Sequence, residues 1–192
     1  MSPLIDILIS APQKGWSASP CCAMVMLSER ARERIESTTS SSYACDLRKW
    51  LQIMETYEAG GHAYHATMPT DGLTRLLAMM EETRALGFDT ARERQFELGH
   101  AVRDALQARG FESVAAPGFQ ASGVVVSYTR DPKIQSGARF VDAGVQIAAG
   151  VPLMCGEGDD FQSFRVGLFG LDKLYDVERC VSRFVEALDE VC

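Results

Sequence analysis

Apolar residues gather near the amino terminus in two short runs, Leu4 to Ile9, broken only by Asp6, and Cys21 to Leu27, each bounded by Pro, Gly or Ser. Continuous apolar runs of this length between turn residues predict buried strands. The segment between them, Ser10-Ala11-Pro12-Gln13-Lys14-Gly15-Trp16, is a loop of the kind that rigid strands use to present functional groups. The pattern then becomes helical. Ser28 is placed to cap a helix over Glu29 to Ile35, a Ser/Thr loop follows from Ser37 to Ser42, and a helix starting at Asp46 carries Leu47, Trp50, Leu51 and Met54. From Asp71, the positions Leu73, Leu76, Leu77 and Met80 recur at helical spacing, with Gly87 placed to end the helix. Asp89 is placed to cap the next one, whose stripe includes Phe96, Val102 and Leu106 and which Gly110 closes.

Beyond Gly110 the texture changes. Phe111 to Ala115, Gly123 to Tyr128 and Phe164 to Phe169 predict strands, as does a shorter stretch around Val145 to Ile147, and Pro132 to Val141 predicts a short helix. Asp172 opens a terminal helix with Val177, Val181, Phe184, Val185 and Leu188 on one face. The class is α/β. We expect a boundary at Gly87, giving a first unit over residues 1–87 and a smaller α/β unit over residues 88–192. Two strands cannot build a doubly wound sheet, so the first unit reads as incomplete.

With 192 residues, 46% of them hydrophobic and 23% charged, the composition is that of a soluble globular chain. The net charge of -7, with Lys and Arg interspersed among Asp and Glu, argues against nucleic acid as a partner. No apolar run is long enough to span a bilayer. Asp6 within the first apolar stretch, and the lack of a basic leader there, predict a cytosolic protein with reduced thiols. The cysteines (Cys21, Cys22, Cys45, Cys155, Cys180, Cys192) form no CxxC pair and have no histidines at metal spacing, so most read as small buried hydrophobes and no metal is expected.

A lysine in a short loop between strands, beside an amide and followed by Gly, can be partly desolvated and so more readily deprotonated, and such an amine can form an imine with an aldehyde. Taken alone, Lys14 would read as a solvated charge. Three segments change that reading. Ser10-Ala11-Pro12-Gln13-Lys14-Gly15-Trp16 after Ile5 to Ile9, then Tyr64-His65-Ala66-Thr67-Met68-Pro69, then Phe164-Arg165-Val166-Gly167-Leu168-Phe169-Gly170 before the last helix occur in this order. Together they resemble the class V pyridoxal-phosphate-dependent aminotransferases, the family of the alanine-glyoxylate and serine-pyruvate enzymes, over essentially the whole chain and over the second half of a typical member.

The resemblance implies the C-terminal portion of a type I pyridoxal-phosphate transferase fold: part of the large cofactor domain, then the small C-terminal domain. It implies that Lys14 holds pyridoxal 5'-phosphate as a Schiff base and then shuttles a proton. Gln13 would donate toward the cofactor phosphate, and Tyr64 and Thr67 would reach the phosphate in the neighbouring subunit of a homodimer. Arg165 would grip the carboxylate shared by the amino acid and 2-oxo acid substrates through two parallel hydrogen bonds. His65, between Tyr64 and Thr67, reads as a packing or hydrogen-bonding histidine. Pro12, Trp16 and Cys21-Cys22 depart from the common family pattern and point to a subfamily. The family's phosphate-binding turn, its stacking aromatic ring and the aspartate at the pyridine nitrogen all precede the lysine, so the resemblance places them outside this sequence.

Two alternatives stay open on the sequence. One is a noncatalytic homologue that binds a partner through its sheet edge and apolar faces. The other is a cysteine desulfurase-like lyase using Cys155, which sits in the Gly-rich loop Met154-Cys155-Gly156-Glu157-Gly158, although the histidine that such enzymes place before the lysine is absent.

Overall fold

The apolar runs flanking the Lys14 loop do form strands. In the computed structural model, which describes residues 5–192, β1 (Ile7–Ser10) pairs antiparallel with β2 (Met24–Leu27), Ile7 opposite Leu27 and Ser10 opposite Met24. Leu4 of the expected first strand lies outside the described residues. The strands are not buried, however, since Leu8 is 52% and Ile9 69% exposed, and Ile7 and Met26 are open as well. An unbroken apolar run suits a strand covered on both faces. Here Ile7 and Ile9 on one face and Leu8 on the other are all open, so neither face is fully covered, and no further strand joins the pair among the described residues.

The described residues fall into two compact units. The first comprises residues up to Gln13 and Ala18–Leu77. Besides β1 and β2 it holds α1 (Glu29–Glu36) and α2 (Leu47–Glu58). Each begins as the sequence predicts: the Ser28 hydroxyl accepts from the Ala31 amide, and the Asp46 carboxylate from the Lys49 amide. Its buried side chains include Pro12, Ala31, Ile35, Ile53 and Leu76. The helix α3 (Thr70–Leu86) starts in this unit and ends in the second. Gly87 follows it at φ 92, its amide bonding to the carbonyls of Thr83 and Arg84. Of the predicted stripe on α3, Leu76 is buried but Leu77 and Met80 are exposed.

The second unit comprises Lys14–Ser17 and Ala78–Cys192. Its sheet is antiparallel, ordered β3 (Val124–Tyr128), β5 (Ser163–Gly167), β4 (Ala148–Ala149), with Val126 and Ala148 opposite Arg165. The helix α4 (Phe88–Gln107) buries Leu98, Val102 and Leu106. After the sheet's first strand come α5 (Pro132–Gln135) and α6 (Ala138–Asp142), and after its last come α7 (Leu171–Tyr175) and α8 (Val177–Val191). Val125, Phe140, Phe164, Phe184 and Leu188 join the α4 residues in one core. The Phe140 and Phe184 rings stack with centroids 6.4 Å apart.

Several local expectations need correction. Asp89 is not the cap of α4. Gly87 holds that position, and Asp89 sits in the first turn, where its charge favours the helix dipole instead. Phe96 is exposed, with Arg92 over its ring. Phe111 to Ala115 makes only an isolated bridge, Ser113 to Ser127, before Pro117 and Gly118 end the pairing. The expected helix over Pro132 to Val141 breaks at Gly137, φ 81. The short strand near Val145 lies instead at Ala148–Ala149. Finally, Asp172 opens only the short α7, and the terminal helix is capped by the Asp176 carboxylate on the Arg179 amide.

Candidate active site

Period-two alternation along β5 fixes where Arg165 can sit. Phe164 and Val166 are buried in the core, so the intervening Arg165 belongs to the other face of the sheet. Its Nε donates to the Ala149 carbonyl at 2.9 Å, across the pairing with β4. The residues flanking it across the strands are Val126 and Ala148, neither of which carries charge. Among the described residues no carboxylate pairs with this guanidinium, so its outer nitrogens remain able to receive one.

Lys14 lies in the same unit through a connection that sequence reasoning missed. Ser17 adopts a left-handed backbone, φ 56, and its amide closes a turn on the Lys14 carbonyl at 3.0 Å. Its hydroxyl accepts the Leu171 amide at 2.8 Å. The Lys14 amine stands 5.7 Å from the centroid of the Phe169 ring, a cation–π arrangement. The lysine loop is therefore fastened to residues that follow directly on the Arg165 strand. Lys14 is exposed, as a solvated charge would be. Gly15 beside it has open space around it, and among the described residues no carboxylate pairs with Lys14.

In the first unit, Gln13 is exposed. Tyr64 and Thr67 come together, Oη to Oγ1, at 3.2 Å, both on the surface. His65 braces the segment that carries them. Its ring lies 4.2 Å from that of Tyr43 and 5.0 Å edge-on from that of Trp50. Its Nε2 bonds to the Tyr43 carbonyl at 3.2 Å, while the Tyr43 hydroxyl donates to the His65 carbonyl. The packing and hydrogen-bonding partners of His65 are thus Tyr43 and Trp50, far from it in sequence, which no local signal could have named.

Cys155, the thiol of the lyase alternative, is poorly suited to attack. The Glu157 carboxylate beside it, with some burial, holds its pKa above the ordinary thiol value, whereas a nucleophilic thiol needs it lowered. Among the described residues no group of His, Cys, Asp and Glu could hold a metal ion, and no described helix is long and apolar enough to cross a membrane.

No protein-family model matches the chain. It is 27% identical over 188 residues to a 2-aminoethylphosphonate-pyruvate transaminase of Burkholderia ambifaria, covering 97% of this chain and 48% of that protein. It is 26% identical over 155 residues to alanine-glyoxylate aminotransferase 1 of Saccharomyces cerevisiae, covering 77% and 40%. The chain thus spans about half the length of the curated relatives it matches. Its fold superposes on the crystal structure of an alanine-glyoxylate aminotransferase from Nostoc sp. with a TM-score of 0.77 at 18% identity, covering 97% of this chain and 48% of that one. In sequence and in fold, the chain matches the C-terminal half of the class V pyridoxal-phosphate-dependent aminotransferases.

Proposed function

We propose that the chain forms the C-terminal half of a cytoplasmic aminotransferase that moves an amino group between a small amino acid, of the alanine or serine type, and a 2-oxo acid such as glyoxylate or pyruvate. The observation that carries this reading is the fastening of the Lys14 loop to the segment just past Arg165, through Ser17 to Leu171 and through the amine over Phe169. An amine and a guanidinium free of carboxylate partners are what amino-acid chemistry asks of a protein, one to move the proton at Cα and one to hold the carboxylate. The donor set also suits pyridoxal phosphate. Lys14 offers a primary amine, and the Gln13 amide and the Tyr64–Thr67 hydroxyl pair are exposed groups able to bond phosphate oxygens.

When bound, that cofactor supplies an aldehyde for amines and a ring that accepts the electron pair released at Cα. Lys14 Nζ takes the proton from Cα of the amino acid and returns it on the way to product. Arg165 holds the α-carboxylate in both half-reactions. Gln13 fixes the phosphate of its own subunit, and Tyr64 and Thr67 that of the partner in a homodimer. Residues 1–87 complete the cofactor domain and residues 88–192 form the small domain. The open faces of β1 and β2 support the need for an N-terminal half, because a two-stranded sheet is marginal in water without further strands or a covering layer.

The test is pyruvate formation from alanine and glyoxylate by the chain combined with the N-terminal segment that precedes this half in its relatives. Lys14→Ala is expected to lower turnover by about 10²–10⁴-fold. A variant that keeps wild-type turnover would sink the proposal.

A further inference from the structure

Between β4 and β5, the loop from Gly150 to Gln162 turns three successive backbone amides toward one point. Met154 has φ 59 and Gly156 φ 91, left-handed conformations that curl the chain there. The amides of Leu153 and Met154 donate to Glu157 Oε1, the second at 2.8 Å, and the amide of Cys155 donates to Oε2 at 2.8 Å. Successive N–H groups converging in this way form a concave nest that holds anions. The carboxylate of Glu157 occupies it. Its own amide and those of Cys155, Met154 and Leu153 lower its pKa to about 2.

Two observations nearby point to a ligand. The loop lines a cleft of about 560 Å³ with Gln135 and Ser163. Ser163 is 2% exposed, and its hydroxyl has no hydrogen-bond partner among the described residues, a costly state for a buried donor. The loop also leaves the sheet one residue past Ala149, whose carbonyl holds the Arg165 guanidinium.

We infer that the Leu153–Cys155 amides and the adjoining cleft form an oxyanion-binding site, filled in cis by Glu157, that takes the carboxylate or phosphonate group of a small molecule when Glu157 swings out. Asp159 on the cleft rim, and the chain's net charge of -7, oppose long-range attraction of anions, so binding rests on the amides. The tethered carboxylate competes at high effective concentration, so wild type binds weakly and removal of Glu157 uncovers the site.

The test is amide NMR of the full chain titrated separately with methylphosphonate and with acetate, at constant ionic strength set with chloride, in wild type, Glu157→Gln and Glu157→Ala. At least one variant is expected to give saturable shifts at Leu153, Met154 and Cys155 with an affinity ten or more times that of wild type. Saturation by methylphosphonate alone assigns a tetrahedral oxyanion, and by acetate alone a carboxylate. The inference is overturned if neither variant saturates with either anion, or if these amides move to unstructured positions in both variants, which would make Glu157 a turn cap and nothing more. None of these outcomes depends on transaminase activity.

Discussion

At the scale of single residues, the face of β5 on which Arg165 sits decides what it can do. A lysine there would keep the charge but lose the planar fork. In the assembled enzyme, Arg165→Lys is expected to reduce kcat/KM for the amino acid by at least tenfold while the affinity for pyridoxal phosphate changes less than twofold. Equal losses of both, measured by steady-state kinetics and cofactor titration, would contradict a carboxylate-binding role. Glu157 gives a prediction for pH. Its carboxylate is held below the ordinary value of 4.5 at about 2, so the loop's hydrogen bonds persist through the usual carboxylate range and are lost only as the pH falls through about 2. Amide shifts at Met154 and Cys155 followed during acidification should turn over near that value. A midpoint near 4.5 would mean that the nest does not hold the carboxylate. Lys14 and Arg165 could be picked out in the sequence because each sits in a distinctive segment. Ser17 and Glu157 could not, since a serine and a glutamate in loops carry no signal until a backbone amide is aimed at them.

Among elements, the helices were the most legible. Ser28 accepts an amide where the sequence placed a cap, and Asp46 does so at the start of the helix expected there, because a short polar side chain before an apolar period has few other uses. Strands were harder to bound. Phe111 to Ala115 has strand-forming residues, but its one bridge is interrupted before a ladder forms. Close backbone approach was invisible altogether. Gly99 on α4 faces Ser122 so closely that an added Cβ would lie 2.7 Å from the Ser122 carbonyl oxygen. Gly99→Ala is therefore expected to destabilise the chain by about 1–3 kcal/mol, despite the better helix propensity of alanine. Urea unfolding would check this, and a stabilised variant would show that the helix and the loop are not in contact. The buried Arg103 spans the same junction, donating to the carbonyls of Gly99 and Ala121, at 3.2 and 2.6 Å. Burial pushes its pKa down.

For the molecule as a whole, the unevenness of its two units is the main physical fact. The second unit has a continuous aromatic and aliphatic core, whereas the first exposes the very strands that flank the lysine loop. Exposed apolar strands with free edges associate. The chain on its own is expected to form concentration-dependent oligomers that Ile9→Lys suppresses, as sedimentation would reveal, and a chain that stays monomeric whatever residue stands at position 9 would show that the strand faces need no cover. The sequence foretold an incomplete first unit because two strands are too few. It could not foretell exposure, since an apolar run is the same string of letters whether or not its covering layer is present. The most direct test of the proposed chemistry is borohydride trapping of pyridoxal phosphate on the chain combined with its N-terminal half, followed by peptide mapping. The label should fall on Lys14, and a label on Lys49, Lys133 or Lys173 in its place would contradict the assignment.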